Sequence, residues 1–158
     1  MTGGPSGRDL AILAGAGSAF LLLAAFAFQF AGYIPCELCI LQRWPHVAAA
    51  LIGALVWWFG WRRSLVLLGA LAAAVATALA VHHSGVEAGW WAGPTACSAG
   101  VGDLAAMSTA DLMKQLQAAP VVRCDEPALR ILGLTMANMN AAASAVLTLI
   151  WLAAARRG

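Results

Sequence analysis

Charged residues fall in a few short segments of this chain, and four stretches between them lack charge for long enough to cross a bilayer. A membrane helix needs about 20 apolar residues. The stretches are 10–31, 44–61, 64–82 and 131–155, leaving two outer loops, 32–43 and 83–130. The second and third are tight for a span, and Trp57, Trp58 and Trp61 at their borders suit the membrane–water interface. Gly and Ala recur in all four, as in 69–73. Small residues let membrane helices approach closely, although simple compositional bias would give the same pattern. In the long second loop, Ser108-Thr109-Ala110-Asp111 resembles a capping box, and Leu112, Met113 and Leu116 then recur at helical spacing. That predicts a short surface helix over 109–118. The expected fold is an all-α membrane protein with a single membrane domain, 1–158. It is a four-transmembrane-helix bundle with two outer loops, the second long and carrying the surface helix.

Composition agrees. Of 158 residues, 62% are hydrophobic and 10% charged, and the mean hydropathy is +0.81. A soluble domain of this size could not hide so much apolar surface, so a lipid bilayer is the expected surrounding. The net charge of +2 is small and the nine basic residues are scattered, which speaks against nucleic acid. Arg8, the pair Arg62 and Arg63, and the pair Arg156 and Arg157 mark the N-terminus, the link between spans two and three, and the C-terminus. An even number of spans puts all three on one side, which the positive-inside rule makes cytoplasmic. Ala25-Phe26-Ala27 could be read as a signal-peptide cleavage site. The apolar run before it, about 22 residues, exceeds the usual h-region of about 7–15, so the segment is read as a retained span.

This topology sends all four cysteines outward. Cys36 and Cys39 lie in the first loop, Cys97 and Cys124 in the second. Disulfides persist in oxidising compartments, and two cysteines in each loop suggest two disulfides. Closing the 97–124 loop would stabilise it by about 3–4 kcal/mol on the chain-entropy account, so a structural staple explains that pair adequately. It does not explain Cys36-Glu37-Leu38-Cys39, whose very small ring offers little loop entropy. A C-x-x-C bridge is a redox motif. With Cys36 at a helix start, exposed amides and the helix dipole would favour the thiolate, the form that attacks disulfides. Zinc is the competing reading of four cysteines. Cys97 and Cys124 are too far apart to form a second knuckle, so no metal site is expected.

Arg43 follows Cys39 by one helical turn, which puts both on one face about 6 Å apart along the axis. An arginine at a span edge either snorkels to headgroups or finds a partner. It would here stabilise the Cys39 thiolate and the anionic forms of a bound quinone. Pro45 disfavours helical geometry at Trp44 and suggests a kink or a late helix start. Of His82 and His83 at the end of span three, one is expected to face headgroups. His83 is a candidate to hydrogen-bond a quinone carbonyl or relay protons. Asn138 and Asn140 are expected to bond between helices.

The run from Cys36 to Pro45, Cys-Glu-Leu-Cys-Ile-Leu-Gln-Arg-Trp-Pro, resembles the disulfide-bond formation protein B family of bacterial inner membranes. His83-Ser84-Gly85-Val86-Glu87, Pro94-Thr95-Ala96-Cys97 and Arg123-Cys124-Asp125-Glu126 add supporting matches, and the likeness covers nearly the whole chain. The resemblance implies a thiol–quinone oxidoreductase. Its partner would be a periplasmic thioredoxin-fold thiol oxidase, and its electron acceptor ubiquinone or menaquinone. It implies that Cys97 is attacked by the partner's thiolate, that Cys124 then exchanges with Cys36, and that Cys39 faces the quinone beside Arg43. A quinone reductase of the vitamin K epoxide type is the alternative enzyme. Its reactive pair generally comes late in the chain, whereas here it precedes span two. A non-enzymatic membrane protein with stapled loops is the remaining alternative.

Overall fold

The computed structural model describes residues 4–94, 108–110 and 122–158. Its four long helices are α1 (Gly7–Phe30), α2 (Glu37–Phe59), α3 (Arg63–Glu87) and α4 (Met136–Arg156). Each is long and apolar enough to cross a membrane. Their starts are written in the sequence as caps. Ser6 opens α1 with a capping box: its hydroxyl accepts the Asp9 N–H at 3.2 Å, and the Asp9 carboxylate accepts the Ser6 N–H at 3.1 Å. Cys36 caps α2 with its sulfur, and Thr135 caps α4 by accepting from the Asn138 N–H at 3.1 Å.

The helices pack in a ring, α1 on α2, α2 on α3, α3 on α4 and α4 on α1, while α1 and α3 barely meet across it. Short connections make sequential neighbours antiparallel. Both chain ends and the α2–α3 turn therefore share one end of the bundle. Arg8 Nη2 donates to the Trp57 carbonyl there at 2.8 Å, and Trp61 Nε1 to that of Ala154 at 3.2 Å. Cys36, Cys39 and His83–Glu87 share the opposite end.

Small residues set the packing distances. A Cβ on Gly53 would sit 2.7 Å from the Gly15 Cα, so α1 and α2 touch backbone to backbone. Gly69 leaves room for the Trp151 ring, which is fully buried among Ala11, Ala14, Val66 and Ala70. The outer surface carries the large apolar side chains, Phe20, Leu23, Trp58 and Leu149 among them. This inverts the arrangement of a soluble protein and fits lipid as the surrounding medium.

Four helices in a membrane bundle match the fold expected from the sequence, but the element ends move. α1 begins at Gly7 rather than residue 10. α2 begins at Glu37, seven residues ahead of the expected 44, and runs through Pro45. Proline forfeits one helical N–H bond, to the Leu41 carbonyl, and neighbouring helices in a bundle tolerate that loss. The cap at Cys36 marks the start. α3 continues past residue 82 to Glu87, so the His83 segment is helical. α4 starts at Met136 rather than 131 because the chain makes a hairpin first. There β1 (Arg130–Ile131) pairs antiparallel with β2 (Leu134–Thr135). Leu132 and Gly133 turn between them at φ +52° and +85°, the two left-handed positions of a two-residue hairpin loop. Of the expected 109–118 helix, Thr109 and Ala110 are helical; the remainder lies outside the described residues, as does Cys97.

Candidate active site

The first turn of α2 brings the C-x-x-C pair together. Cys36 is the N-cap, and its Sγ accepts the Cys39 N–H at 3.3 Å and lies 3.1 Å from the Cys39 sulfur. Both cysteines are free thiols, Cys36 buried and Cys39 half-buried. The hydrogen bond with the Cys39 sulfur holds the Cys36 thiol well below the usual thiol range. His83 and the Cys39 amide add to that effect and outweigh the opposing cost of burial. Cys124 is also buried and is disulfide-bonded. It packs in one apolar cluster with Cys36, Leu38 and Val86. Its neighbours form an exposed clamp, with Arg123 gripping the Asp125 carboxylate through two bonds of 3.0 and 2.6 Å. That pairing holds the Asp125 carboxyl below its ordinary range.

His83 and Glu87 lie one turn apart on α3 and face the pair. His83 Nε2 is 3.6 Å from Cys36 Sγ and 3.8 Å from a Glu87 carboxylate oxygen. The other Glu87 oxygen accepts from the Thr135 hydroxyl. The preceding histidine, His82, is exposed and stacks on Trp91, whose indole N–H donates to its carbonyl at 2.8 Å. The two histidines thus differ in setting, His82 exposed and His83 buried.

Behind them runs a buried ladder of side chains. Gln42 Nε2 donates to the Leu38 carbonyl at 3.1 Å and lies 2.8 Å from His83 Nδ1. Gln42 Oε1 accepts from Asn140 Nδ2 at 2.7 Å. Asn140 Oδ1 is 3.2 Å from His46 Nε2, and Ser144 Oγ is 3.3 Å from the same nitrogen. Asn140 thus bonds between helices, as expected; for Asn138 the bond is its backbone N–H on the Thr135 cap.

Arg43 extends across to α1. Its Nη1 donates to Gln29 Oε1 at 2.7 Å, and the guanidinium lies 4.8 Å from the centre of the Phe26 ring, a cation–π contact. The arginine is therefore anchored on a neighbouring helix. Cys39, Arg43 and His83 line one cavity of about 380 Å³, together with Gln42, His46 and Asn140. Leu21, Leu22, Phe28, Ile34 and Met139 supply apolar wall. The volume falls in the range of small-molecule sites, and a mostly apolar wall with a few converging polar groups is their usual form. The donor set fits a quinone ring. Gln29 takes one of the five guanidinium N–H groups, the thiol of Cys39 lies in the same wall, and the apolar side suits a hydrocarbon ring and tail. Cys36, Cys39 and His83 also hold their donor atoms within 4.8 Å of one another, the spacing of a metal-ligand set. A ligating histidine usually donates its second ring N–H to an acceptor, whereas His83 Nδ1 faces the amide nitrogen of Gln42, which disfavours ligation there.

The sequence pointed to Cys36, Cys39, Arg43 and His83 and held Gln42 and Glu87 within the matching motifs without a role, while Gln29, His46 and Ser144 went unnamed. The available signal was spacing: Gln42, Arg43 and His46 stand three, four and seven residues beyond Cys39, one face of one helix.

A family model described as "Disulfide bond formation protein DsbB" matches residues 7–154. Among curated proteins, an uncharacterized protein, RP370, of Rickettsia prowazekii (strain Madrid E) is 26% identical over 112 residues. The match covers 68% of this chain and 63% of that relative's length. No solved structure matches.

Proposed function

The chain belongs to the disulfide bond formation protein DsbB family, a multi-pass membrane protein of disulfide formation, and from that premise we propose a specific reaction for it. It oxidises a periplasmic thioredoxin-fold dithiol oxidase and passes the electron pair through two cysteine pairs to ubiquinone or menaquinone. The observation that carries this reading is the shared position of the first pair. Cys36 packs beside Cys124 of the second loop, while its neighbour Cys39 lines the apolar cavity with Arg43 and His83.

The partner's thiolate attacks Cys97, the proposed mate of Cys124, and Cys124 leaves as a thiolate. The partner's second thiol then resolves the mixed disulfide. The partner leaves oxidised, and the second-loop pair is left as a dithiol. Cys124 next attacks Cys36 of the oxidised first pair, releasing Cys39. Cys97 closes back on Cys124, which frees Cys36 and leaves the first pair reduced. Each exchange makes one S–S bond and breaks one, so two electrons and two protons move inward. The quinone, when bound, supplies a two-electron, two-proton acceptor. The chain's residues prepare for it: Arg43 directs spare N–H donors at the cavity, His83 donates to the Cys36 sulfur, and the apolar wall excludes water. The basic end of the bundle faces the cytoplasm and the cysteine end the periplasm of a bacterial inner membrane.

The test is loss of quinone absorbance when purified protein in detergent meets a reduced thioredoxin-fold dithiol oxidase. Turnover should need the quinone, the partner and both cysteine pairs. Turnover that persists without Cys97 and Cys124 would overturn the two-pair route. Absence of quinone reduction with an exchanging partner would overturn the acceptor.

A further inference from the structure

The direction of the buried ladder is fixed at one point. The Leu38 carbonyl can only accept, so the Gln42 group 3.1 Å from it must be the amide nitrogen. That nitrogen carries two protons, one for Leu38 and one for His83 Nδ1 at 2.8 Å. The Gln42 oxygen then faces Asn140, whose nitrogen donates to it at 2.7 Å. Turning the Gln42 amide over would set oxygen against oxygen at Leu38 and nitrogen against nitrogen at Asn140. His83 of α3 and Asn140 of α4, across the ring, therefore constrain one amide, and Gln42 is buried away from competing water.

We infer that Gln42 is a positioning residue that sets the tautomer of His83, keeping Nδ1 an acceptor and presenting the Nε2 proton to the sulfur of Cys36. This rests on the reading of Cys36 as an exchanging sulfur. The neutral imidazole has one N–H, and which nitrogen carries it is decided by what the other nitrogen meets. With Nδ1 occupied by the Gln42 N–H, the only proton lies on Nε2, 3.6 Å from Cys36 Sγ. The opposite tautomer would aim a lone pair at the sulfur and repel the thiolate. Asn140 belongs to α4 and thus acts on the cysteine pair through two intermediates, without touching either sulfur. The role differs from that of Arg43, one residue on, whose partners lie on α1.

The experiment is ¹⁵N NMR of histidine-labelled, reduced protein in detergent, with the His83 signals identified by their loss in His83→Phe. In the parent protein Nδ1 of His83 should be unprotonated and Nε2 protonated. Gln42→Leu, similar in size but without a donor, should give a mixture of tautomers. It should also slow iodoacetamide modification of Cys36 at neutral pH about tenfold, the range of one lost hydrogen bond to a charged group. Asn140→Leu leaves Gln42 in place but frees its amide to turn, and should give a smaller shift in both measurements. It also guards against misfolding of the first variant. A protonated Nδ1 in the parent protein, or unchanged tautomer and Cys36 rate in both variants, would overturn the assignment. Failure of quinone reduction alone would not, since neither readout involves quinone.

Discussion

Arg43 and Gln29 join α2 to α1 through a 2.7 Å hydrogen bond, with the guanidinium also resting on Phe26 of the same helix. The charge is thus fixed at the cavity wall by two contacts. Arg43→Ala should raise the apparent KM for quinone about tenfold or more, the usual range for losing a hydrogen bond to a charged group. Exchange between Cys124 and Cys36 should persist. Arg43→Lys keeps the charge but loses the planar fork, and should fall between. Steady-state kinetics with a short-tailed quinone checks this. An unchanged KM in both variants would reduce Arg43 to an interhelical brace.

Cys36 should react as a thiolate in mildly acidic solution. Its thiol is held low chiefly by the hydrogen bond with Cys39 and secondarily by His83. An ordinary thiol, with a pKa of about 8.5, loses reactivity steeply below neutrality. Iodoacetamide labelling of Cys36, followed by mass mapping, should stay near its plateau from about pH 8 to about pH 6. Cys39→Ser and then His83→Phe should move the profile upward. The sign for stability is the same. A group whose pKa is depressed on folding stabilises the reduced fold above its unfolded pKa, and that stability is lost as pH falls through the folded value. A Cys36 profile centred near that of a free thiol would contradict this assignment.

The proposed order of sulfur chemistry makes the cysteines unequal. Cys124→Ser leaves Cys97 a lone thiol that attacks the disulfide of the oxidised partner. With Cys124 gone, no sulfur of this loop can displace the partner, so a mixed disulfide with Cys97 should accumulate, most fully when the partner's own second thiol is also removed. Cys97→Ser should not. Cys39→Ser should still permit a Cys36–Cys124 bond while abolishing transfer to quinone. Non-reducing electrophoresis with peptide mapping reads all three. A partner trapped on Cys36 or Cys39, with the second loop untouched, would refute the order.

Gly15 and Gly53 allow backbone contact between α1 and α2. Gly53→Leu would drive a side chain into the Gly15 backbone, where no rotamer relieves the overlap. Overpacking costs about 1–3 kcal/mol even where side chains can adjust, so a larger loss is expected here. Unfolding in detergent by graded denaturant is the measurement, and an unaltered midpoint would mean that the α1–α2 contact is looser than described.

Runs without charge were long enough to reveal all four helices, and the cysteine spacing pointed to the pair proposed to react. Helix ends were harder, for physical reasons. Pro45 looked like a boundary, yet α2 begins at the Cys36 cap and runs through it, the missing N–H bond being tolerated among packed neighbouring helices. Leu132 looked like part of a span, yet with Gly133 it makes a hairpin turn. The polar ladder was hidden for another reason. Gln42 and Asn140 are 98 residues apart, and nothing local distinguishes a glutamine that orients a histidine from one that faces headgroups. Only the closed ring of helices brings them together, their side chains reaching across it from α2 and α4.

The sulfur of Cys36 is at once the atom proposed to react and the cap on α2. On the proposed route, drawing that sulfur toward Cys124 would take the acceptor from the Cys39 amide. Covalent exchange at Cys36 would therefore be felt in the backbone of the helix end that it caps.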